Sequence, residues 1–182
     1  MKDVLGLDGD YVEKELLAKY ISNNEFKATD LTQPFDLKRK FDLIISLEVA
    51  EHLPEDSAEN FIKSLCKHGD IIVFSAAIPG QGGQNHINEQ WRFYWCEKFA
   101  SFNYKAFDIL RPRIWNIEKV NWWYKQNVLI FSKHDYSHLE LSSAIMLEAI
   151  HPELFQQHID YIIFLQEYCR SLEEKLSKNS DE

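Results

Sequence analysis

The sequence predicts an α/β domain with a mostly parallel sheet, followed by a C-terminal helical extension. Residues 43–45 and 71–74 are short apolar runs without polar alternation, which is typical of strands buried on both faces. Between these runs, Ala58, Phe61 and Leu65 recur at helical spacing. A strand, a helix and a strand in this order form a right-handed parallel crossover. We therefore expect residues 43–45 to be a central strand of the sheet.

Two further strands are expected upstream, and each ends near an aspartate. Residues 4–7 form the first, and Asp8-Gly9 turns the chain into a helix. Residues 26–31 form the second, which contains Asp30 and leads into a turn with a proline. In nucleotide-binding sheets a carboxylate at a strand end accepts hydrogen bonds from ribose hydroxyls. A helix cap at Asp8 and an ordinary turn at Asp30 are the alternative interpretations.

Polar side chains also follow the two buried strands. Glu48, Glu51 and His52 come directly after the central strand. The glycine-rich stretch 80–91, here called the His86 loop, follows the next strand. In an open α/β sheet, ligands bind outside the carboxyl ends of the strands, and loops placed there often carry function. We therefore expect the functional site at this edge.

The order of these segments resembles that of class I S-adenosylmethionine-dependent methyltransferases, including bacterial methyltransferases of types 11 and 23. The resemblance implies a Rossmann-like sheet, mostly parallel, whose last two strands form an antiparallel edge. It covers about residues 3–133. The segments that carry it are Asp8, the pair Asp30-Leu31, the stretch 41–54, the strand 70–75, and the final strands 104–110 and 128–132.

The resemblance implies S-adenosylmethionine as the cofactor and assigns residues to it. Asp8, with Gly9 beside it, would accept from the ribose hydroxyls. Asp30 would accept from the adenine amino group, while the backbone at Leu31 meets the ring edge. Glu48 would lie near the methionine moiety or the transferred methyl group. A helix-entry acid is the alternative interpretation of Glu48.

His86 is the residue that we expect on the acceptor side, as a catalytic base. It lies in a glycine-rich loop beside Asn85, Asn88 and Glu89, which can orient an imidazole or bind a hydroxylated substrate. His52 should instead be absorbed into packing or capping at the start of a helix. A surface histidine without a task is the alternative for His86. The expected reaction is methyl transfer to a small-molecule or sugar-type acceptor by in-line displacement.

The first strand and the glycine-rich turn of the resembled family are missing before residue 4, so the domain is expected to be truncated at its N-terminus. Three replacements are open: an upstream segment, a strand from another chain, or direct pairing of the strands on either side. A catalytically inactive binding or scaffold module is therefore the alternative function. A nicotinamide-dependent dehydrogenase is a third interpretation, which a parallel final strand would favour.

Composition narrows the class of partner and the compartment. The 182 residues carry a formal net charge of −9, which disfavours a nucleic-acid substrate. The three cysteines are scattered without metal-site spacing, so we expect free thiols and no metal site. No stretch has the length of a signal peptide or membrane span, which predicts a cytoplasmic protein with no membrane contact.

The pattern changes to helix after residue 135, so we divide the chain into a methyltransferase-like domain, 1–135, and a helical extension, 136–182. We expect the first half of this helix to be buried on the domain. Its second half should be available to a second copy of the chain, giving a homo-oligomer. The apolar and aromatic residues that recur at helical spacing, together with one histidine, are Leu154, His158, Tyr161, Leu165, Tyr168, Leu172 and Leu176.

Overall fold

The computed structural model describes residues 3–139 and 149–180, in which six strands form two separate sheets. A two-stranded sheet joins β1 to β2, and a four-stranded sheet has the order β3-β4-β6-β5. The strands are β1 (Gly6–Asp8), β2 (Phe26–Ala28), β3 (Ile44–Leu47), β4 (Ile71–Ser75), β5 (Lys105–Phe107) and β6 (Leu129–Ser132).

The strand directions confirm the predicted α/β class with an antiparallel edge. β1 runs parallel to β2, and β3 runs parallel to β4. β6 lies between β4 and β5 and is antiparallel to both. The dehydrogenase interpretation required a parallel final strand, so the direction of β6 argues against it.

Helices connect and cover the strands. The predicted crossover helix between β3 and β4 forms, and a helix rich in aromatic residues follows the His86 loop. The helix expected after Asp8 is a single short turn. The helices are α1 (Lys14–Leu17), α2 (Ala58–His68), α3 (Arg92–Ala100), α4 (Arg111–Ile114), α5 (Trp122–Asn127) and α6 (Pro152–Ser180).

The core lies between the four-stranded sheet and the helices α2 and α3. Phe74 of β4 and Phe131 of β6 are at most 2% exposed. Phe99 of α3 stacks on Phe131 with ring centroids 3.9 Å apart, and Phe74 meets both rings edge to face. Apolar burial of this kind is the main stabilising term of a domain. It holds the carboxyl ends of β3 and β4 in place.

The prediction that residues 43–45 form a strand buried on both faces is wrong for the described residues. Leu43 is 45% exposed and Ile45 is 58% exposed. The cause is a gap, because no strand within residues 3–139 and 149–180 pairs with β3 on the side away from β4. β1 and β3 are not joined, so direct pairing across the gap is excluded among these residues. An apolar groove of about 340 Å³ separates them instead, lined by residues that include Leu5, Leu7, Leu31, Phe35 and Ile45.

The C-terminal helix α6 is buried only at its start. Leu154 is 2% exposed, and the backbone N–H of His151, just before the helix, donates to Gln126 Oε1 at 2.6 Å. From Phe155 onward most of the apolar side chains are exposed, so the expectation of a buried first half is wrong. Residues 1–2, 140–148 and 181–182, and the side chain of Leu176, lie outside the described part of the chain, so the proposed division at 135 stays a prediction.

Candidate functional site

Glu48 directly follows β3, in a constrained backbone conformation. Its φ is 52°, in the left-handed region that non-glycine residues seldom adopt. Its N–H donates to the carbonyl oxygen of Ser75, at the end of β4, at 3.0 Å. Its carboxylate accepts from Gln81 Nε2 at 2.9 Å and from Asn127 Nδ2 at 3.3 Å. Glu48 therefore lies at the predicted edge, with its orientation fixed by two other segments.

Glu51 follows in a short helical turn, Ala50–His52, and is fully buried. Within the described residues, neither carboxylate oxygen has a hydrogen-bond partner of acceptable geometry. Burial, followed by the neighbouring charge of Glu48, raises the pKa of Glu51 to about 8. The nearby backbone N–H groups of Glu51 and Ala77 act to lower the pKa of Glu51, whereas a contact with the Glu48 side chain acts to raise it. The chain thus contains a buried acid whose oxygens are not satisfied.

The His86 loop folds back onto this turn. The backbone N–H groups of Ile87 and Asn88 both donate to the carbonyl oxygen of Glu51, at 2.9 and 3.0 Å. This pairing brings His86 beside His52, with ring centroids 4.9 Å apart and the rings nearly perpendicular. Two segments that are remote in sequence therefore place two imidazoles next to a buried carboxylate.

Glu89 organises the same loop from within. Its carboxylate accepts from the N–H groups of Gly80 and Gly82 at 2.7 and 2.9 Å, and it pairs with His86 Nδ1 at 2.9 Å. Gly83 leaves room for the imidazole, since a Cβ there would lie 2.3 Å from ring atoms of His86. Asn85 contributes its backbone oxygen, which lies 3.3 Å from His52 Nδ1. The ring of each histidine is thus held through its Nδ1 atom.

Asp8 and Gly9 lie at the end of β1, where the sequence predicted them. Asp8 Oδ1 accepts from the N–H of Gly9 at 2.7 Å and from the hydroxyl of Tyr11 at 3.0 Å. No hydrogen bond reaches Asp8 Oδ2 within the described residues. A Cβ on Gly9 would overlap the exposed Tyr11 ring, which would have to move to admit a larger residue.

Asp30 and Leu31 lie beyond the end of β2. Asp30 Oδ1 accepts from the N–H and the hydroxyl of Thr32 at 2.9 and 2.7 Å, and these bonds lower the pKa of Asp30. This is the local turn that was the alternative interpretation. Oδ2 of Asp30 accepts no hydrogen bond in the described part of the chain. Leu31 packs against the core and lines the groove between the sheets.

Sequence reasoning missed the grouping of Glu51, His52 and His86, here called the Glu51 cluster. One ligand atom from each of the three side chains lies within 4.8 Å of the others. Two histidines, each following a strand that ends at the same sheet edge, were the signal that could have found it. The expectation that His52 is absorbed into packing is wrong, because its side chain is exposed beside His86.

The remaining features limit the chemistry elsewhere. Cys66 and Cys169 are free thiols, as expected, and burial raises the pKa of Cys66 to about 12. Among the described helices, none combines the length and the apolar character needed to cross a bilayer. The apolar groove between the sheets is lined by none of Glu48, Glu51, His52 and His86.

Comparison with known proteins gives only distant likeness. No protein family matches the chain, and no protein of curated function matches it. The methyltransferase domain of bacterial CtHen1 is 15% identical with a TM-score of 0.49, over 74% of this chain and 78% of that one. A pericyclic reaction enzyme is 13% identical with a TM-score of 0.46, and LepI in complex with SAM is 12% identical with a TM-score of 0.45. Each covers 71% of this chain, which spans 36% of their length. Likeness at this level supports no statement about function.

Proposed function

We propose that this domain is an S-adenosylmethionine-dependent methyltransferase that acts on a small-molecule or sugar-type acceptor. The observation that carries the proposal is the strand order, in which β6 is antiparallel between β4 and β5 while the other strands pair in parallel. The sequence resemblance to class I methyltransferases implies this arrangement. Asp8, Asp30 and Glu48 each lie at or just beyond the end of a strand, where the resemblance requires cofactor-binding residues.

The described residues have acceptor atoms suited to this cofactor. Asp8 and Asp30 each use one oxygen for a local turn and keep Oδ2 for a ligand. When bound, S-adenosylmethionine supplies a methyl group on a cationic sulfonium, and its sulfur keeps the electron pair of the carbon–sulfur bond. The chain contributes alignment of the acceptor oxygen with that methyl group, and this alignment supplies much of the rate.

His86 takes the acceptor's proton in this proposal. Its Nδ1 is held by Glu89, and its Nε2 is the nitrogen available to a hydroxyl group. As the oxygen–methyl bond forms, the hydroxyl proton passes to Nε2, so the acceptor becomes a neutral methyl ether. The net charge of −9 supports an acceptor other than nucleic acid.

The test of cofactor binding is a calorimetric titration of the chain with S-adenosylhomocysteine. We expect weak binding because of the gap between β1 and β3. Asp8→Ala should lower the affinity by roughly 5- to 150-fold, since a hydrogen bond to a charged group contributes about 1–3 kcal/mol. Asp10→Ala, an exposed acid two positions further on, is the matched control and should change nothing. Equal affinities for Asp8→Ala and Asp10→Ala would contradict the assignment of Asp8.

The alternative, an inactive binding or scaffold module, is favoured by one observation. The groove between β1 and β3 lies where the resembled family has a strand and a glycine-rich turn. Absence of any heat with S-adenosylhomocysteine, in a chain whose circular dichroism shows a folded α/β domain, would select this alternative. Transfer of label from S-adenosylmethionine into a cell extract would select the enzyme.

The proposed partner besides the acceptor is a second copy of the chain, bound through α6. Among the side chains of this helix that the structure describes, eight large apolar ones are more than one-third exposed. Tyr161, Phe164 and Tyr168 stack along one face with centroid spacings of 6.4 and 6.3 Å. The same face on another copy would cover it with matching spacing, which is how apolar helical faces pair.

A further inference from the structure

We propose that the Glu51 cluster binds one divalent transition-metal ion, such as Zn²⁺, Fe²⁺ or Mn²⁺. Two imidazoles and a carboxylate are a ligand set that these ions accept. The three ligand atoms already lie within 4.8 Å of one another. Ligands about 2.1 Å from a tetrahedral ion are roughly 3.4 Å apart, so a small side-chain movement closes the site.

The hydrogen bonds of the two histidines orient them as ligands. His86 Nδ1 pairs with the carboxylate of Glu89 at 2.9 Å, and His52 Nδ1 lies 3.3 Å from the backbone oxygen of Asn85. With Nδ1–H donating in each ring, Nε2 is the unprotonated nitrogen. Metal-binding histidines commonly donate their other N–H to a carboxylate or a backbone carbonyl. The outer partners of a metal site are therefore already in place.

Glu51 is the independent observation that points to a cation. Its side chain is fully buried, and neither oxygen has a hydrogen-bond partner within the described residues. A buried carboxyl group without well-formed hydrogen bonds is costly, so native structures seldom leave one unsatisfied. A divalent ion held against His52 and His86 would supply the missing partner. An exposed cluster of acidic residues would not indicate a cation in this way, because water already solvates its carboxylate oxygens.

The site has room for a further ligand, because three protein ligands leave coordination positions open. His52 is exposed, which gives an ion and a small ligand access from solvent. In the proposed methyl transfer the ion would hold the acceptor oxygen and lower the pKa of its proton. That extension rests on the proposed function. With the ion bound, His86 acts as a ligand and the acceptor's proton passes to water, because Nε2 cannot bind an ion and accept a proton at the same time.

The test uses the metal alone, so its outcome does not depend on the methyltransferase proposal. The 182-residue chain, without an affinity tag, is stripped with chelator and titrated with Zn²⁺ by calorimetry and with Co²⁺ by visible absorption. We expect one ion per chain, and Co²⁺ bands with the intensity of a site of low coordination number. A chain that binds no ion, or only Co²⁺ with the weak spectrum of the hydrated ion, would overturn the proposal.

Variants locate the ion. His52→Ala and His86→Ala should each weaken binding by more than the roughly 10- to 100-fold that loss of an outer partner costs. Glu51→Gln, which keeps the shape and removes the charge, should do the same. His138→Ala, an exposed histidine elsewhere, is the matched control and should leave affinity unchanged. Circular dichroism checks that each variant is folded. Unchanged affinity in folded His52→Ala and His86→Ala would refute the site, and the wild-type Co²⁺ spectrum decides the question if either variant does not fold.

Discussion

The carboxylates of the candidate site form two groups, Glu48 in one and Asp8 with Asp30 in the other, and the two groups differ in the residues that donate hydrogen bonds to them. Glu48 accepts from Asn127, which is 79 positions further along the chain, and from Gln81. The carboxylates of Asp8 and Asp30 accept, among the described residues, only from neighbours at most three positions away. The supporting sheets differ in the same way, because β3 and β4 belong to a four-stranded sheet with a buried core, whereas β1 and β2 are three-residue strands without a buried residue. The position of a side chain at the end of a strand is thus only as well fixed as the sheet to which that strand belongs.

The largest expected effect contrasts two isoleucines on adjacent strands. Ile72 in β4 is fully buried, and Ile45 in β3 is 58% exposed beside the groove. Ile72→Ala should lower the free energy of unfolding by about 2–5 kcal/mol, since it removes buried methyl groups and leaves a cavity. Ile45→Ala should cost about 1 kcal/mol or less. Urea denaturation of both variants measures the difference. Equal losses would mean that something covers the groove in solution.

A smaller effect is expected in the His86 loop. Gly83→Ala should weaken Zn²⁺ binding about 10- to 100-fold, because the added Cβ would lie 2.3 Å from the His86 ring and displace it. Gly82→Ala is the matched control, since its φ is also positive but its Cβ would meet no atom within 4 Å. Calorimetric titration of both variants with Zn²⁺ checks this. A Gly82→Ala variant as weak as Gly83→Ala would assign the loss to backbone strain.

Two tyrosines allow the same comparison, because Tyr104 belongs to the four-stranded sheet's core and Tyr11 lies beside the two-stranded sheet. The hydroxyl of Tyr104 is buried and donates to the backbone oxygens of Cys66 and Gly69. Tyr104→Phe should cost about 1–2 kcal/mol of unfolding free energy, because buried carbonyl groups lose their donor. Tyr11→Phe removes only an exposed bond to Asp8 and should cost less than about 0.5 kcal/mol. Thermal unfolding measures both changes, and a larger loss for Tyr11→Phe would reverse the comparison.

The smallest expected effect is on association. Phe164 is 58% exposed at the centre of the stacked aromatic face of α6. Phe164→Asp should shift a concentration-dependent dimer to monomer in sedimentation velocity without altering the unfolding of the domain. Gln166→Asp adds the same charge at an exposed polar position on the opposite face of α6 and should leave the dimer intact. A wild-type chain that sediments as a monomer at all concentrations would contradict the proposed partner.

The four-stranded sheet and the helix α2 that covers it were predictable, because the sequence patterns that specify them are local. The apolar runs at residues 71–74 and 128–132 become β4 and β6, and the helical spacing of Phe61 and Leu65 becomes α2. The apolar run at residues 43–45 correctly predicted a strand, but the prediction that this strand is buried on both faces was wrong. Apolar residues indicate that a surface needs cover, and they do not indicate whether another segment supplies it.

The Glu51 cluster could not be predicted from local pattern. His52 and His86 are brought together by the N–H groups of Ile87 and Asn88, which bond to the carbonyl oxygen of Glu51. No periodicity specifies such loop-to-turn pairing. Asp30 shows the converse, because its turn with Thr32 is a local preference that the sequence did indicate as the alternative to ligand binding.

The left-handed backbone at Glu48 has a consequence for engineering. A non-glycine residue in this conformation costs on the order of 1 kcal/mol, which glycine would recover. Considered for its backbone conformation alone, position 48 would therefore favour glycine. That substitution would also delete the carboxylate held by Gln81 and Asn127 at the centre of the sheet edge. At position 48, relief of backbone strain and retention of the carboxylate require different residues. Substitutions that stabilise the protein should therefore be sought elsewhere in the fold.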